Sequence, residues 1–442
     1  MEPNNQTLPG DGVELSDEQQ AAVDTILKTP KKRIVLTGAA GSGKSTVLNH
    51  LRATGWWEAY ATTGKAAMHI EGGTVDSAYC FSRDNWQVWN EDYLKMVMLQ
   101  TSDNHIIDEA SMIGKNMGDC IDATAKAYHK KLVMSGDWAQ AAPVKDDLIL
   151  KSRILDDFEF IKLTENHRQA DAEYINALNQ VRVGKAGKDV EEAFSGCLCA
   201  KPPDDDHFLR MYATNQKTEA YNQFRLWRHV DDTASGAFQL CASFKDVRDG
   251  DKQKKRPRSE SFRMNAIANS PFSHGEPLAV GCRVLITVND HAREYVNGDT
   301  GTLMSATVGD GRQVNEAIAA YKESGRNFSV SSVRVLLDRT GKEVTVFYQL
   351  REVKDPTGRY VQHAISGLPV KLGYACTTHK SQGMTVERAW FDMGSLGRFP
   401  DDKSRHGLAY VALSRTKSLE GLLISQWVPE MIYCNPEIAE LL

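Results

Sequence analysis

Long apolar runs are missing from the sequence. No stretch reaches about 18 consecutive apolar residues, the length a membrane-spanning helix needs, so no membrane partner is expected. The first residues, MEPNNQTLPGDGVELSDEQ, are polar and acidic and contain no apolar core of the kind a secretory leader carries. A cytoplasmic location is therefore expected, whether the gene is cellular or phage-borne, and a nuclear one stays open. Clustered cysteine is missing as well. The eight cysteines are scattered, and the lone C-x-C of Cys197 and Cys199 has neither a second pair nor histidines at zinc-site spacing. That excludes a disulfide-stapled framework and leaves reduced thiols. A surplus of positive charge is also absent: the net charge is −5. The surface is not coated in basic residues, but a nucleic-acid partner is not excluded, because backbone recognition needs only a local basic track. No repeat of fixed period occurs, which removes solenoid architectures.

What is present is an ordinary globular composition, 41% hydrophobic and 25% charged over 442 residues. That length exceeds what one hydrophobic core supports and implies about two to four domains. Residues 1–12 read as a flexible lead. SDEQQAAVDTIL from Ser16 has a polar start and apolar spacing near 3.6, predicting a helix. RIVLTG reads as a buried strand running into a glycine-rich turn, and KSTVLNHLRA as the helix after it. HIIDEAS, KLVMSGD and FIKLTENHR each read as an apolar strand ending in polar residues. Strands alternating with helices imply an α/β fold with parallel sheets, whose ligands bind at the carboxyl ends of the strands.

Residues 81–101 interrupt that rhythm with Trp86 and Trp89 and read as a small inserted subdomain. The alternation resumes with FLRMYATN as strand and QKTEAYNQFRLW as helix. FKDVRDGDKQKKRPRSESFR is charged and poor in apolar residues, predicting a surface loop. Its run Lys252–Arg258 also resembles a nuclear-localisation patch and offers a grip on a nucleic-acid backbone. From Gly281 to Val361 short strands and turns predict an inserted β-barrel, and PVKLGYACTTHKSQG returns to the α/β style.

Gly38 to Ser45 fits G-x-x-x-x-G-K-[ST], between a strand and a helix. Backbone N–H groups of such a loop close around phosphate oxygens, Lys44 adds a cation, and the Ser45 hydroxyl suits Mg²⁺. Asp108 and Glu109 stand at a strand end. The first suits the metal of Mg-ATP and the second an attacking water. Gln140, after the next strand, has the chemistry to bond a terminal phosphate or its water. Arg168 and Arg415 lie further along the chain, beyond the first α/β unit, and are candidates for the cations a developing phosphoryl charge requires. Taken alone, each arginine is more simply a surface ion pair.

Read in order, the segments resemble those of superfamily 1B DNA helicases, the RecD-like and phage Dda-like group. LSDEQQAAV resembles the Q motif, which implies Gln19 on adenine. GAAGSGKST resembles motif I, implying Gly38, Ala39, Ala40, Gly41, Ser42, Gly43, Lys44, Ser45 and Thr46 around the nucleotide. ATTGKAA resembles motif Ia, GGTVDSAYCF the T-x-H-S element with Asp76 in place of the usual histidine, IIDEASM motif II, GDWAQAAPV motif III and LTENHRQ motif IV. NGDTGTL resembles the turn of an inserted SH3-like barrel. TTHKSQGMTVERA resembles motif V, adding Gln382 and Gly383 to the nucleotide set, and YVALSRTKSLEGL motif VI. The resemblance spans Leu15 to Leu423.

It implies two RecA-like domains, residues 13–80 with 102–154 and residues 155–280 with 366–442. A pin subdomain at 81–101 and an SH3-like barrel at 281–365 would be insertions in them. It also implies ATP and Mg²⁺ as cofactors and 5′-to-3′ movement on single-stranded DNA, with forked duplex as substrate. The motor would work as a monomer, with replication or recombination proteins as possible partners. DNA-backbone contacts would come from Thr63, Lys65 and Ser77 in the first domain and Asn215, Thr378, His379 and Lys380 in the second. Trp86 and Trp89 are candidate strand separators, with a local core as the plainer reading; Phe272 and Tyr295 are further aromatics near the barrel. Two other classes stay open. One is a DNA-binding P-loop ATPase that acts as a switch or remodeller. The other is a small-molecule kinase, which gives no reason for the late arginines or the barrel.

Overall fold

Strand β1, Arg33–Gly38, is buried along its whole length, as a central strand of a parallel sheet covered on both faces must be. The computed structural model describes residues 14–62, 70, 72–81, 88, 90–141, 143, 146–147, 149, 152–246, 258–268, 270–288, 290, 294–324, 329–354 and 361–441. In it β1 belongs to a six-stranded sheet ordered β3-β2-β4-β5-β1-β6. The others are β2, Trp57–Ala61; β3, Gly73–Thr74; β4, Asn104–Asp108; β5, Lys131–Gly136; and β6, Glu159–Leu163. Every pairing is parallel, and Ala61 faces Asp108, Thr37 faces Gly136 and Gly38 faces Leu163. One edge of the sheet therefore emits the glycine loop, the Asp108–Glu109 turn, the Asp137 turn and the segment from Thr164.

Helix α1, Asp17–Lys28, starts at Ser16 in a capping box with Gln19, and its apolar face carries Ala22, Val23 and Ile26. Helix α2, Lys44–Ala53, contributes Val47, Leu48 and Leu51 to the same core. Each of these valines, leucines and isoleucines contributes about 1.5–3 kcal/mol by leaving water.

Two expectations change here. FIKLTENHR was expected to open the second unit, but β6 pairs with β1 and closes the first sheet. Arg168 thus leaves the first unit's edge strand. The 81–101 segment is only in part separate: helix Glu91–Gln100 buries Leu94, Val97 and Met98 in the first unit's core beside Tyr79, Phe81 and Ile107. Three apolar residues at helical spacing outweigh the polar residues around them. Trp86 and Trp89 lie outside the described residues.

A second parallel sheet has four strands in the order β18-β7-β19-β20: β7, Leu209–Tyr212; β18, Ala375–Thr377; β19, Ala389–Phe391; β20, Leu422–Ile424. Helices Ala172–Arg182, Lys188–Ser195 and Leu408–Leu413 cover it, and Ala40 and Ala139 of the first unit join their apolar cluster. The two units thus share a packed seam.

Between β7 and β18 lies an antiparallel body. Its five-stranded sheet runs β14-β13-β12-β11-β17: β11, Arg283–Ile286; β12, Thr300–Val308; β13, Val330–Leu337; β14, Glu343–Phe347; β17, Val370–Leu372. A two-stranded ribbon joins β8, Ala237–Gln239, to β10, Pro277–Ala279, and a three-stranded ribbon runs β15-β16-β9. Its strands are β9, Ser243–Asp246; β15, Gln349–Lys354; and β16, Val361–Gly367. The antiparallel body therefore extends beyond 281–365, to β17 on one side and β8 on the other. The charged stretch expected as a loop begins in β9 and ends in helix Glu260–Ala268. Phe244 and Phe262 meet edge to face at 6.1 Å, and Arg263 pairs with Asp246, so at the two described ends of the stretch the charges decorate a small packed ribbon. Residues 252–257 of the basic run lie outside the described residues. Phe272 and Tyr295 are buried core residues and do not present a stacking face.

All eight cysteines are free. Among the described residues no helix is long and apolar enough to cross a membrane.

Candidate functional site

The glycine loop is shaped by positive backbone angles. Gly41 has φ +88° and Gly43 φ +80°, values that L side chains rarely adopt. A Cβ on Gly41 would meet Arg168 Cβ at 2.6 Å, and one on Gly43 would collide with the Gln19 amide. Helix α2 begins directly after Gly43 with no side-chain cap, so its first N–H groups and the positive end of its dipole face the loop's concavity. Lys44 Nζ donates to the carbonyls of Gly38 and Ala39 at 2.9 and 3.0 Å. Burial lowers its pKa, opposed by Asp137 and Glu109.

Two neighbouring turns add carboxylates. Glu109 sits in the left-handed region at φ +53°, strained for a non-glycine residue, and its N–H donates to Asp108 Oδ1 at 2.9 Å. Burial, reinforced by Asp108, pushes Glu109 up to about 7. Burial also raises Asp108, with Lys44 opposing. After β5, Asp137 is buried; burial alone would raise it, but Arg182 and Lys44 hold it below the usual range. Arg182 Nε reaches Asp137 at 3.0 Å, and Gln140 Nε2 donates to the same carboxylate at 3.4 Å.

The late-chain segment meets this edge directly. Ala40 N–H donates to the Tyr410 hydroxyl at 2.8 Å. Arg168 Nη1 donates to the Ser414 carbonyl at 3.1 Å. Arg415 is only 1% exposed, its guanidinium held by the carbonyls of Val411, Ser381 and Met384 and by Ser414 Oγ. Burial, with Arg168 nearby, lowers it to about 9. Gln382 Nε2 donates to Glu109 Oε2 at 3.1 Å, another contact from the second unit.

These groups enclose one cavity of about 560 Å³. Ala40, Gly41, Gly43, Lys44, Ser45, Asp108, Glu109, Gln140, Arg168, Gly383 and Arg415 line it. Gly38, Ala39, Ser42 and Thr46 belong to the loop and helix behind that surface. Gln19 is not on the wall; its amide packs over Gly43 while its oxygen accepts the Ser16 N–H at 3.1 Å. A nucleoside triphosphate with Mg²⁺ fits this donor set. A cradle that a Cβ would fill, a helix N-terminus, a lysine, a hydroxyl, carboxylates, the buried guanidinium of Arg415 and the half-buried one of Arg168 all converge on it.

The AAA domain family matches residues 14–195. The chain is 27% identical to the ATP-dependent DNA helicase Pif1 of Bdellovibrio bacteriovorus, over 98% of this chain and 92% of that protein. It is likewise 27% identical to mouse PIF1, over 98% of this chain but 63% of the mouse protein. Its fold matches the crystal structure of Pif1 helicase from Candida albicans at a TM-score of 0.72 and 23% identity, covering 97% of this chain and 99% of that one. Bacteroides Pif1 in complex with ADP-AlF4 gives a TM-score of 0.72 at 22% identity, covering 97% and 96%. Over nearly its whole length the chain is similar to ATP-dependent DNA helicases of the Pif1 kind.

The remaining candidates lie on the same edges of the two sheets. Thr63 and Lys65 fall outside the described residues. Ser77 is half-buried in the short helix Val75–Ala78, which follows β3. In the second unit Tyr212 faces Thr377, so Asn215 and the turn 378–380 leave neighbouring strand ends. Asn215, His379 and Lys380 are exposed. Thr378 was expected to touch DNA, but it is fully buried and its hydroxyl donates to the Tyr212 carbonyl at 3.3 Å, so it shapes the turn instead.

Sequence reading passed over several cavity groups. Tyr410 and Arg182, which bond Ala40 and Asp137 beside the cavity, were not singled out. Asp299, Arg339, Glu387 and Lys417 also line the cavity, with no local pattern marking them.

Proposed function

We propose that this protein is a superfamily 1B, ATP-dependent DNA helicase that moves 5′-to-3′ on single-stranded DNA and unwinds duplex DNA. One observation carries the reading. A single cavity is lined by the glycine loop and carboxylates of the first parallel sheet and by Arg415 and Gly383 of the second. A ligand gripped from both sides couples its own cleavage to the distance between the units.

The residues divide the work. Lys44 and the N–H groups at the start of α2 hold the phosphate chain. Ser45 and Asp108 would hold Mg²⁺, which when bound neutralises phosphate oxygens and orients them for in-line attack. Glu109, raised by its surroundings, orients the attacking water and accepts its proton. Gln140, fixed by Asp137, bonds that water or the terminal phosphate. Arg168 and Arg415 face the charge that develops on the transferred group. Tyr410 on Ala40, and Gln382 on Glu109, report closure of the seam.

On the nucleic-acid side, Ser77, Asn215, His379 and Lys380 contact the backbone without reading bases, joined by Thr63 and Lys65. The antiparallel body is read as the SH3-like insertion and the 81–101 segment as the pin, with Trp86 and Trp89 stacking at the fork. The motor acts as a monomer, alongside replication or recombination proteins. The Pif1 relatives and neighbours, among them Bacteroides Pif1 bound to ssDNA, support this reading.

The experiment presents forked duplexes with either a 5′ or a 3′ single-stranded tail, with ATP and Mg²⁺. Displacement is expected from the 5′-tailed fork alone. Displacement confined to the 3′ tail overturns the polarity, and hydrolysis without displacement favours a switch or remodeller.

A further inference from the structure

The antiparallel body reaches the nucleotide cavity. The turn between β11 and β12 lays Val296 and Asp299 on its wall, and the turn after β13 adds Arg339. Arg339 Nε and Nη2 donate to the two Asp299 oxygens at 2.7 and 2.8 Å. The Asp299 side chain is 3% exposed and that of Arg339 30%. Asp299 Oδ2 also accepts the Val296 N–H at 2.9 Å, so the carboxylate is locked before it locks the arginine. The fork uses one side of the guanidinium. Among the described residues, no protein acceptor is found for Nη1.

The tip that carries this pair is anchored twice. Asp338, next to Arg339, accepts from Arg283 and from Thr300 Oγ1, and it meets His207 of the second unit at 2.9 Å. Gly298, at φ +99°, lets the other turn rest on the second unit: a Cβ there would lie 3.2 Å from Met384 Cβ and 3.4 Å from the Thr385 carbonyl. The Met384 carbonyl in turn accepts Arg415 Nη1 at 3.2 Å. The turn therefore packs beside the residues that present Arg415 and Gly383, at the Glu109 end of the cavity. The pair is partly buried, so desolvation offsets much of its attraction and it adds little net stability. Its value lies in where it holds a cation.

We propose that Arg339 is a nucleotide-contacting residue, offering its guanidinium to the terminal phosphate oxygens of a nucleoside triphosphate from an element outside both parallel sheets. The proposal rests on the ATP-hydrolysing reading above and deepens it. A triphosphate carries the group that Arg339 meets and a diphosphate does not, so the antiparallel body reads nucleotide state without relay through either parallel sheet.

The test measures binding of a fluorescent ATPγS analogue and of fluorescent ADP, with Mg²⁺, to the full chain and to Arg339→Ala and Arg339→Lys. Arg339→Ala is expected to lose about tenfold in triphosphate affinity while ADP stays within about twofold. Arg339→Lys should fall between, since a point cation keeps the attraction but loses the fork. Equal loss for both nucleotides marks a merely structural role and overturns the proposal, as does unchanged binding in Arg339→Ala when the unaltered chain binds normally. Failure of the unaltered chain to bind either nucleotide would remove the hydrolase reading and this proposal with it.

Discussion

Tyr410 accepts the Ala40 N–H at 2.8 Å through its phenolic oxygen, and both partners are buried. One is in the phosphate loop, the other on the helix that leads to Arg415. Any opening of the seam would break this bond, so the loop's backbone is tied to the second unit in the arrangement without ligand.

Tyr410→Phe should keep the packing but leave the Ala40 N–H without its acceptor. A net cost of about 1–3 kcal/mol is expected from an unsatisfied buried donor. Urea unfolding should show a lower midpoint with an unchanged slope. Hydrolysis should become less responsive to DNA, and DNA-stimulated turnover equal to that of the unaltered chain would show that this contact is not part of the coupling.

Lys44→Ala should abolish hydrolysis while DNA binding stays salt-sensitive and largely intact. The two functions lie on different turns of the strand ends, so one can be lost without the other. Fluorescence anisotropy with a single-stranded oligonucleotide checks binding; joint loss would mean that the variant has unfolded.

Arg182 and Asp137 form a buried pair, with side chains 8% and 0% exposed. Arg182→Ala strands a carboxylate that Arg182 and Lys44 together keep ionised, at an expected cost of about 3–5 kcal/mol. Arg182→Ala with Asp137→Asn should recover part of that loss. A double variant no more stable than the single one would show that charge is not the issue.

The first sheet was legible because its strands are apolar runs broken by polar ends, and because G-x-x-x-x-G-K-S combines a turn requirement with a charge requirement in one short string. The boundary at β6 was not legible. FIKLTENHR looks the same whether it closes one sheet or opens the next, since strand order is decided by pairing partners far away. Tyr410 was hidden for a related reason: in YVALSR it reads as one more apolar helix position, and only the fold turns its hydroxyl toward Ala40. The Asp299–Arg339 pair had no local signature, because its members lie forty residues apart on two turns that only β12 and β13 bring together. Charge also misled the reading near Phe244, where ion pairs on a packed ribbon look like a solvated loop.

Arg415→Ala should retain ATP binding and lose turnover by about 10³-fold or more, the scale of an arginine that meets transition-state charge. Arg415→Lys should not rescue it, because the guanidinium is presented by a set of carbonyls that an ammonium cannot span. Stopped-flow phosphate release separates binding from chemistry, and near-normal single-turnover rates would take Arg415 out of the reaction.

Glu109 supplies a prediction in pH. Its folded value of about 7 lies above the ordinary 4.5. Between those values the folded chain holds a proton that the unfolded chain releases. The resulting stabilisation is complete below the ordinary value and is lost as pH rises through about 7. Glu109→Gln cannot release that proton, so its melting temperature relative to the unaltered chain should rise between pH 5 and pH 8. In the unaltered chain the free-enzyme rate constant kcat/KM should fall on the acid side of about 7, because only the carboxylate accepts the water's proton. Glu109→Gln should be inactive at every pH. Melting curves that run parallel for the two proteins would show that Glu109 ionises like an exposed carboxylate, and the strained turn after β4 would then need another explanation.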